Sequence, residues 1–297
     1  MACDICNGTG WTVGERGAER CRCWLDTVTS RLIDEARIPP RYSRCTIDNF
    51  VTYPNEKLMN ALAQARRFAA AFPATTKGLC LIGPPGIGKT HIAVSVLRQV
   101  ILEKRARGIF YDVRDLLRVI RSTYNPVVRT AEMDILRPVM EADILVLDDL
   151  GAEKPSEWVE ETMNLIVNTR YNEKRPTIFT TNYEDVPDET DLDSLKVRVG
   201  FRMHSRLHEM CDFLEYDGGD YRMLPPNAGP TDLSALWQVN KGRRVLPSRT
   251  RGPARAQLTG GMSSLMQDSQ ARATKEREKR LADPRELKWP GGKAGRG

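Results

Sequence analysis

The most constraining feature of the sequence is the octapeptide GPPGIGKT at residues 83–90. It fits the pattern G-x-x-x-x-G-K-[ST], and it lies between a short apolar stretch (78–83) and a helix-forming stretch (91–106). A strand, a glycine-rich turn and a helix in this order direct backbone N–H groups and a helix N-terminus at one anion. We therefore expect an α/β chain that binds a nucleoside triphosphate.

The loop residues have separate expected roles. Lys89 can reach the β- and γ-phosphates, and the Thr90 hydroxyl can ligate Mg²⁺. His91 is interpreted as the first helical residue beyond the loop rather than as a catalytic base. The expected nucleotide-binding residues are Gly83, Pro84, Pro85, Gly86, Ile87, Gly88, Lys89, Thr90 and His91.

Two later apolar stretches end in polar residues that suit the same site. The first, DILVLDDLG (143–151), predicts a central strand with Asp148 and Asp149 at its C-terminal end, where parallel sheets place their ligands. Asp148 is the candidate for holding the Mg²⁺ shell, and Asp149 for orienting the attacking water. The second, PTIFTTN (176–182), ends in Asn182, which is either a γ-phosphate sensor or a strand-end cap.

Four cysteines near the N-terminus have a spacing that suits a metal. They form C-x2-C, a glycine-rich insert suited to a small hairpin, and C-x-C. Four thiolates can close a structural Zn²⁺ site in a segment too short for its own core, although unligated thiols on a disordered leader remain an alternative. The candidate zinc ligands are Cys3, Cys6, Cys21 and Cys23.

Charge is distributed unevenly along the 297 residues. Residues 226–297 carry 15 Lys and Arg against 6 Asp and Glu, a charge of +9. Because the whole chain has a net charge of +6, residues 1–225 carry −3. This composition favours a largely disordered tail that either contacts nucleic-acid phosphates or serves solubility. No apolar run approaches the roughly 18 residues that span a bilayer, so no membrane role and a cytoplasmic location are expected.

The motifs GPPGIGKTH, DILVLDDLG and TTN, followed by VRVGFRMHSRLHEMCDFLEYDGGDYR, together resemble the DnaC/IstB branch of the AAA+ ATPases over residues 41–225. The resemblance implies a five-stranded parallel sheet sandwiched by helices and an ATP site completed by a neighbouring subunit. Many related ATPases have Glu where this chain has Asp149, which leaves the efficiency of hydrolysis open.

The resemblance also implies roles for basic residues near the end of this region. Arg206 is the first choice for an arginine finger and Arg202 the second, while Arg222 matches the sensor 2 position. Arg198 is interpreted as a surface helix charge. His204 and His208 are interpreted as ordinary helix-face residues, because no acidic helical motif accompanies them.

Three functions remain open at this point. The first is a loader that binds a hexameric replicative DNA helicase through residues 1–40 and, through an ATPase domain at 41–225, places it on single-stranded DNA. The second is an ATPase helper of a DNA transposase, as in the IstB members. The third is a nucleotide-dependent adaptor with negligible hydrolysis. The expected cofactors are ATP, Mg²⁺ and Zn²⁺.

Overall fold

The computed structural model describes residues 3–14, 17–124, 132–187, 191–225 and 229–240. The N-terminal part of the chain is an antiparallel hairpin followed by a helix. Strand β1 (Trp11–Gly14) pairs with β2 (Gly17–Arg20), and helix α1 spans Arg22–Glu35. The hairpin predicted from the glycines between the two cysteine pairs is therefore confirmed.

A five-stranded parallel sheet forms the centre of the chain. Its strands are β3 (Gly78–Ile82), β4 (Gly108–Asp112), β5 (Ile144–Asp148), β6 (Thr177–Thr181) and β7 (Cys211–Glu215). They lie in the order β4-β5-β6-β3-β7, and each neighbouring pair is parallel. The inner strands are buried on both faces, so β3 and β5 are almost entirely apolar, whereas β6 also carries three buried threonines. The predicted sheet is confirmed.

Helices cover both faces of this sheet. They are α2 (Glu56–Ala71), α3 (Lys89–Lys104), α4 (Val113–Ser122), α5 (Glu132–Glu141), α6 (Glu157–Asn172), α7 (Leu195–Val199), α8 (Phe201–Met210) and α9 (Pro230–Asn240), with 3-10 turns at Pro40–Tyr42 and Tyr221–Met223. Successive residues of β3 point to opposite faces. Leu79 and Leu81 pack with α2 and α3, whereas Cys80 and Ile82 pack with α4 to α8.

A buried arginine joins α6 to the end of α5 and to the residues where β5 and β6 begin. Arg170 is 1% exposed. Its guanidinium donates to the carbonyls of Val139, Met140, Ala142 and Pro176, and to the Thr177 hydroxyl. Burial lowers its pKa to about 9. The neutral carbonyls thus replace the water that the guanidinium lost on folding.

The packed region extends beyond both expected boundaries. At the C-terminal side, α9 follows the expected limit at residue 225, and its Leu233 and Trp237 are buried in the core. These two residues are four apart and share one helix face, so the apolar patch at 233–239 folds onto the core instead of joining a disordered tail. Residues 241–297, with most of the predicted basic tail, lie outside the described residues.

At the N-terminal side, the expected limit at residue 40 does not separate two bodies. Ala36, just after α1, is fully buried in the core around α2 and α3. Its carbonyl accepts a hydrogen bond of 2.8 Å from the backbone N–H of Phe110 in β4. The end of α1 is therefore part of the sheet-containing body. Within the described ranges, no helix has the length and apolar character needed to cross a membrane.

Candidate nucleotide-binding site

The glycine-rich loop turns tightly between β3 and α3, and two of its glycines are sterically required. Gly86 and Gly88 have φ of +83° and +94°, in the left-handed region that favours glycine. A Cβ on Gly86 would lie 1.7 Å from a carboxylate oxygen of Asp220, and one on Gly88 would lie 2.5 Å from the Phe50 ring. The loop therefore has room for backbone alone on these sides.

Lys89 is held by three oxygen acceptors. Its Nζ donates to the carbonyls of Gly83 and Pro84, each at 2.8 Å, and to Asn182 Oδ1 at 2.7 Å. Burial lowers the pKa of Lys89 to about 8, although Asp148 and Asp149 oppose this shift. The ammonium is thus placed among neutral acceptors at the turn where a phosphate would supply full negative charge.

Thr90 and Asp148 lie side by side at the C-terminal edge of the sheet. The Thr90 hydroxyl donates to both carboxylate oxygens of Asp148, at 2.9 and 3.1 Å, and the Thr180 hydroxyl donates to Oδ1 at 2.6 Å. Burial raises the pKa of Asp148, and the two hydroxyls counteract it. A hydroxyl and a carboxylate in contact are ligands that suit Mg²⁺ beside a nucleotide.

Asp149 begins a turn that directs its side chain at Asn182. Its φ is +60°, an uncommon conformation for a residue other than glycine, and its backbone N–H donates to the Thr180 hydroxyl at 3.0 Å. Asn182 Nδ2 donates to Asp149 Oδ1 at 2.6 Å. The structure therefore brings Lys89, Asn182 and Asp149 into one hydrogen-bonded chain, as the shared edge of the sheet predicts. Their catalytic roles stay predictions.

These groups line a cavity of about 510 Å³. One wall comes from the segment before α2, which the sequence marks only as irregular and turn-rich. Aromatic and aliphatic groups dominate this wall, which suits the flat ring of a nucleobase. The lining residues from this segment are Arg41, Tyr42, Cys45, Asn49, Phe50, Val51 and Tyr53, and Leu233 of α9 also lines the cavity.

Two further residues of the site were missed in the sequence. Thr180 joins Asp148 to the turn at Asp149, and Asp112 lines the cavity next to Asp148 on the adjacent strand. Asp112 also caps α4, and burial raises its pKa. Its position at the end of an apolar strand was the available signal, since the same rule identified Asp148.

His91 contacts the segment that forms the apolar wall. Its Nε2 lies 3.0 Å from both the Thr46 carbonyl and Asn49 Oδ1, and its ring meets Phe50 edge-on with centroids 5.2 Å apart. Burial lowers the pKa of His91. These contacts position the wall residues, and a direct contact of His91 with nucleotide stays a prediction.

The candidate arginines occupy different places. Arg222 lines the cavity, whereas Arg202 and Arg206 lie on α8 and are not among its described lining residues. A finger that acts on a neighbouring subunit need not line its own cavity, so both assignments stay predictions.

Arg198, interpreted as a surface helix charge, lies partly buried on α7 and makes contacts that the sequence did not predict. Its guanidinium donates to the Gly151 carbonyl at 2.9 Å and to the Tyr183 hydroxyl at 2.7 Å, and it lies over the Tyr183 ring. Arg198 thus fastens the turn after Asp149 to the residue that follows Asn182.

His204 and His208, interpreted as ordinary helix-face residues, lie on α8 as expected but have an acidic partner that the sequence did not reveal. Both imidazoles contact the carboxylate of Asp185, which lies in the loop after β6. The partner is distant in sequence and not on a helix, so a helical motif could not reveal it.

The N-terminal cysteines converge as their spacing predicts. Their four sulfurs lie within 4.8 Å of one another, with Cys3 and Cys21 at 3.8 Å and Cys6 and Cys23 at 3.4 Å. Zinc bonds of about 2.3 Å in a tetrahedron separate sulfurs by about 3.8 Å. The backbone N–H of Gly10 lowers the pKa of Cys6 to about 6, whereas the contact with Cys6 raises the pKa of Cys23 to about 12, so that one thiol of this pair is charged before the other. The cluster could therefore hold Zn²⁺.

Comparison with known proteins gives a consistent picture. The profile of the family described as "IstB-like ATP binding protein" matches residues 32–223. The "Replicative helicase loader DnaC" of Escherichia coli K12 is 28% identical over 177 residues, which are 60% of this chain and 68% of that protein. The protein of the same name from Buchnera aphidicola (strain Bp) is 25% identical over 177 residues, with the same shares covered.

Solved structures are similar over the same region. A crystal structure of the DnaC helicase loader shares 34% identity and a TM-score of 0.53, over 60% of this chain and 99% of that one. A crystal structure of DnaI has 22% identity and a TM-score of 0.51, over 64% and 98%, and it supports the fold alone.

Proposed function

The chain belongs to the IstB-like ATP binding proteins, the DnaC/IstB-type AAA+ ATPases that its motifs resemble, and we propose that it is an ATP-dependent loader of a replicative DNA helicase. In this proposal it binds a hexameric helicase and places it on single-stranded DNA. The observation that carries the proposal is the similarity to a DnaC helicase loader across almost all of that crystallised chain.

ATP binding would rearrange the hydrogen bonds around Lys89. Its ammonium would exchange the carbonyls of the loop for the β- and γ-phosphates, which compensate its charge better. Release of Asn182 Oδ1 would let that amide reorient, so that one N–H of Nδ2 could donate to the γ-phosphate while the other still donates to Asp149. Mg²⁺, held by Thr90 and Asp148, would offset phosphate charge. Asp149 would then orient the attacking water.

The N-terminal segment is proposed to grip the helicase. Its cysteine cluster would hold Zn²⁺ and thereby fix the hairpin, which is too small to bury a core. Apolar side chains on this hairpin and in the turn before it face solvent, with Ile5 70%, Trp11 46% and Val13 92% exposed. Such exposed apolar groups favour contact with another protein.

Self-association through the ATP site belongs to the same proposal. Arg206, or alternatively Arg202, would reach the γ-phosphate of a neighbouring subunit and stabilise the charge that develops during hydrolysis. Arg222, already in the cavity, would contact the phosphates of its own nucleotide. We expect Arg206→Ala to lose the hydrolysis that depends on protein concentration, while Arg118→Ala, an exposed arginine on α4, retains it.

The partner is tested by capture of purified hexameric helicase on the immobilised full chain. We expect Val13→Asp to reduce capture, because it places a charge on the proposed contact surface. Met59→Asp is the matched control, since Met59 is 49% exposed on α2, away from the hairpin. Equal capture by both variants contradicts the proposed surface, and failure of the wild-type chain to capture helicase contradicts the loader itself.

The ATPase part is tested with binding and turnover assays. We expect Lys89→Ala to abolish ATP binding, whereas Lys104→Ala, exposed in the last turn of the same helix, retains it. Asp149→Ala should keep binding and lower turnover. If the wild-type chain hydrolyses ATP no faster than Asp149→Ala, the chain is a nucleotide-dependent adaptor and not an ATPase.

A transposase helper is the second candidate, because the matching family is named for IstB. It predicts preference for duplex over single-stranded DNA and capture of a transposase in place of the helicase. Fluorescence anisotropy with labelled single-stranded and duplex oligonucleotides of equal length separates the two functions.

A further inference from the structure

Three side chains from two separate segments converge on one point beside α8. His204 Nε2 lies 2.6 Å from Asp185 Oδ1, His208 Nε2 lies 3.0 Å from Asp185 Oδ2, and the two Nε2 atoms are 3.3 Å apart. The side chains of Asp185 and His204 are 21% and 15% exposed, and that of His208 is 47% exposed. Two nitrogen ligands and one carboxylate thus share a partly open site.

Hydrogen bonding alone explains this arrangement poorly. A carboxylate only accepts, so each imidazole would have to present an Nε2–H to it, and two N–H donors would then face each other at 3.3 Å. A cation in place of the two protons would use the lone pairs of all three groups. Zinc bonds of about 2.0–2.1 Å in a tetrahedron separate two nitrogens by about 3.3–3.4 Å, which matches the distance between the two imidazoles, whereas the contacts of 2.6 and 3.0 Å with Asp185 would lengthen on metal binding.

The surrounding structure holds the ligands in place. His208 stacks on Phe213 of β7, with ring centroids 4.2 Å apart and planes 11° from parallel. The loop before Asp185 is fixed to α7, because the Glu184 carbonyl accepts a 2.9 Å hydrogen bond from the backbone N–H of Leu195. Two imidazoles spaced four residues apart on a helix can present both nitrogens to one ion, while the Asp185 carboxylate would move back to make room for it.

We propose that Asp185, His204 and His208 form a second metal site, which binds a borderline divalent cation such as Zn²⁺ with water in the fourth position. Two imidazoles favour Zn²⁺ over Mg²⁺, which prefers oxygen ligands, so this ion differs from the one beside the nucleotide. The site joins the loop that follows Asn182 to the helix that carries Arg202 and Arg206. Bound metal therefore fixes α8 relative to β6, the strand that Asn182 follows.

The test measures the zinc bound per full-length chain. Free zinc is removed by dialysis, and the protein-bound zinc is then quantified with a chromophoric chelator. In a Cys21→Ser background, which disrupts the cysteine cluster, we expect one remaining zinc, and none once His208→Gln or Asp185→Asn is added. In the wild-type background, His208→Gln should bind one zinc less. Addition of zinc should raise the melting temperature of the Cys21→Ser chain, but not that of the double variants.

Glu209→Gln is the matched control, because Glu209 follows His208 on the same helix but accepts from the Tyr171 hydroxyl. It should leave the zinc content unchanged. Unchanged ATP affinity without zinc shows that each variant is folded, and whichever ligand variant passes this check decides the test. Equal zinc content in wild-type and folded ligand variants overturns the proposal, whether or not the chain loads a helicase.

Discussion

Lys89 gives a prediction that links proton uptake to nucleotide binding. Its ammonium is buried among two carbonyls and an amide oxygen, and this burial lowers its pKa from 10.5 to about 8. Triphosphate oxygens in the same place would favour the charged form and raise the pKa again. ATP should therefore bind the protonated lysine, so that binding takes up a proton wherever the free protein has lost it.

The magnitude follows from the pKa of about 8. The uncharged fraction of Lys89 is about 0.1 at pH 7 and about 0.9 at pH 9, so proton uptake per ATP should rise between these limits. Because the bound state holds the extra proton, apparent affinity falls as the pH rises. The expected loss from pH 7 to pH 9 is about tenfold, or about 1.4 kcal/mol.

Isothermal titration calorimetry in buffers of different ionisation enthalpy measures this uptake directly. At pH 9 the terminal phosphate of ATP is already ionised, so its own titration does not contribute. Lys89→Arg keeps a permanent charge and should show no uptake, whereas Lys104→Ala should behave as wild type. Zero uptake at pH 9 in the wild-type chain, or the same uptake in Lys89→Arg, would refute the reasoning.

Three further substitutions test other parts of the site and core. Thr180→Val removes the hydroxyl that holds Asp148, so ATP binding should need several-fold more Mg²⁺; an unchanged magnesium titration contradicts this role. Arg170→Met leaves buried carbonyls without donors and should lower the free energy of unfolding by roughly 3 kcal/mol in urea, and a loss below about 1 kcal/mol would be too small. Arg198→Ala frees the turn at Gly151, so turnover should fall while ATP affinity stays the same. Steady-state kinetics that show equal turnover would argue against it.

The sheet and the phosphate side of the site were predictable because their signals are local. Apolar residues mark β3 and β5, and the rule that ligands lie at the C-terminal edge of a parallel sheet places Asp148 and Asn182 near the glycine loop. Only the strand order was still needed to predict how close Asp148 and Asn182 lie to that loop. The structure adds the hydrogen bonds of Lys89, which depend on side-chain rotamers that a sequence pattern does not specify.

The remaining features depend on contacts between distant parts of the chain. The apolar wall at Phe50 and Tyr53 comes from an irregular segment with no periodicity. Helix α9 packs on the core because its Leu233 and Trp237 contact residues from other parts of the chain. Asp185 meets His208 through the packing of α8 against the sheet. No spacing rule within one segment can anticipate such meetings.

The hydrogen bond from the Phe110 N–H to the Ala36 carbonyl attaches the N-terminal segment to the edge of the sheet. Strand β4 is the outermost strand on its side of the sheet, and this contact occupies one of its outward N–H groups. A partner bound to the hairpin would therefore be connected to the edge strand through α1 and this hydrogen bond, rather than through a flexible linker. Asp112, which lines the cavity, lies two residues further along the same strand, so one strand connects the N-terminal segment to the nucleotide site.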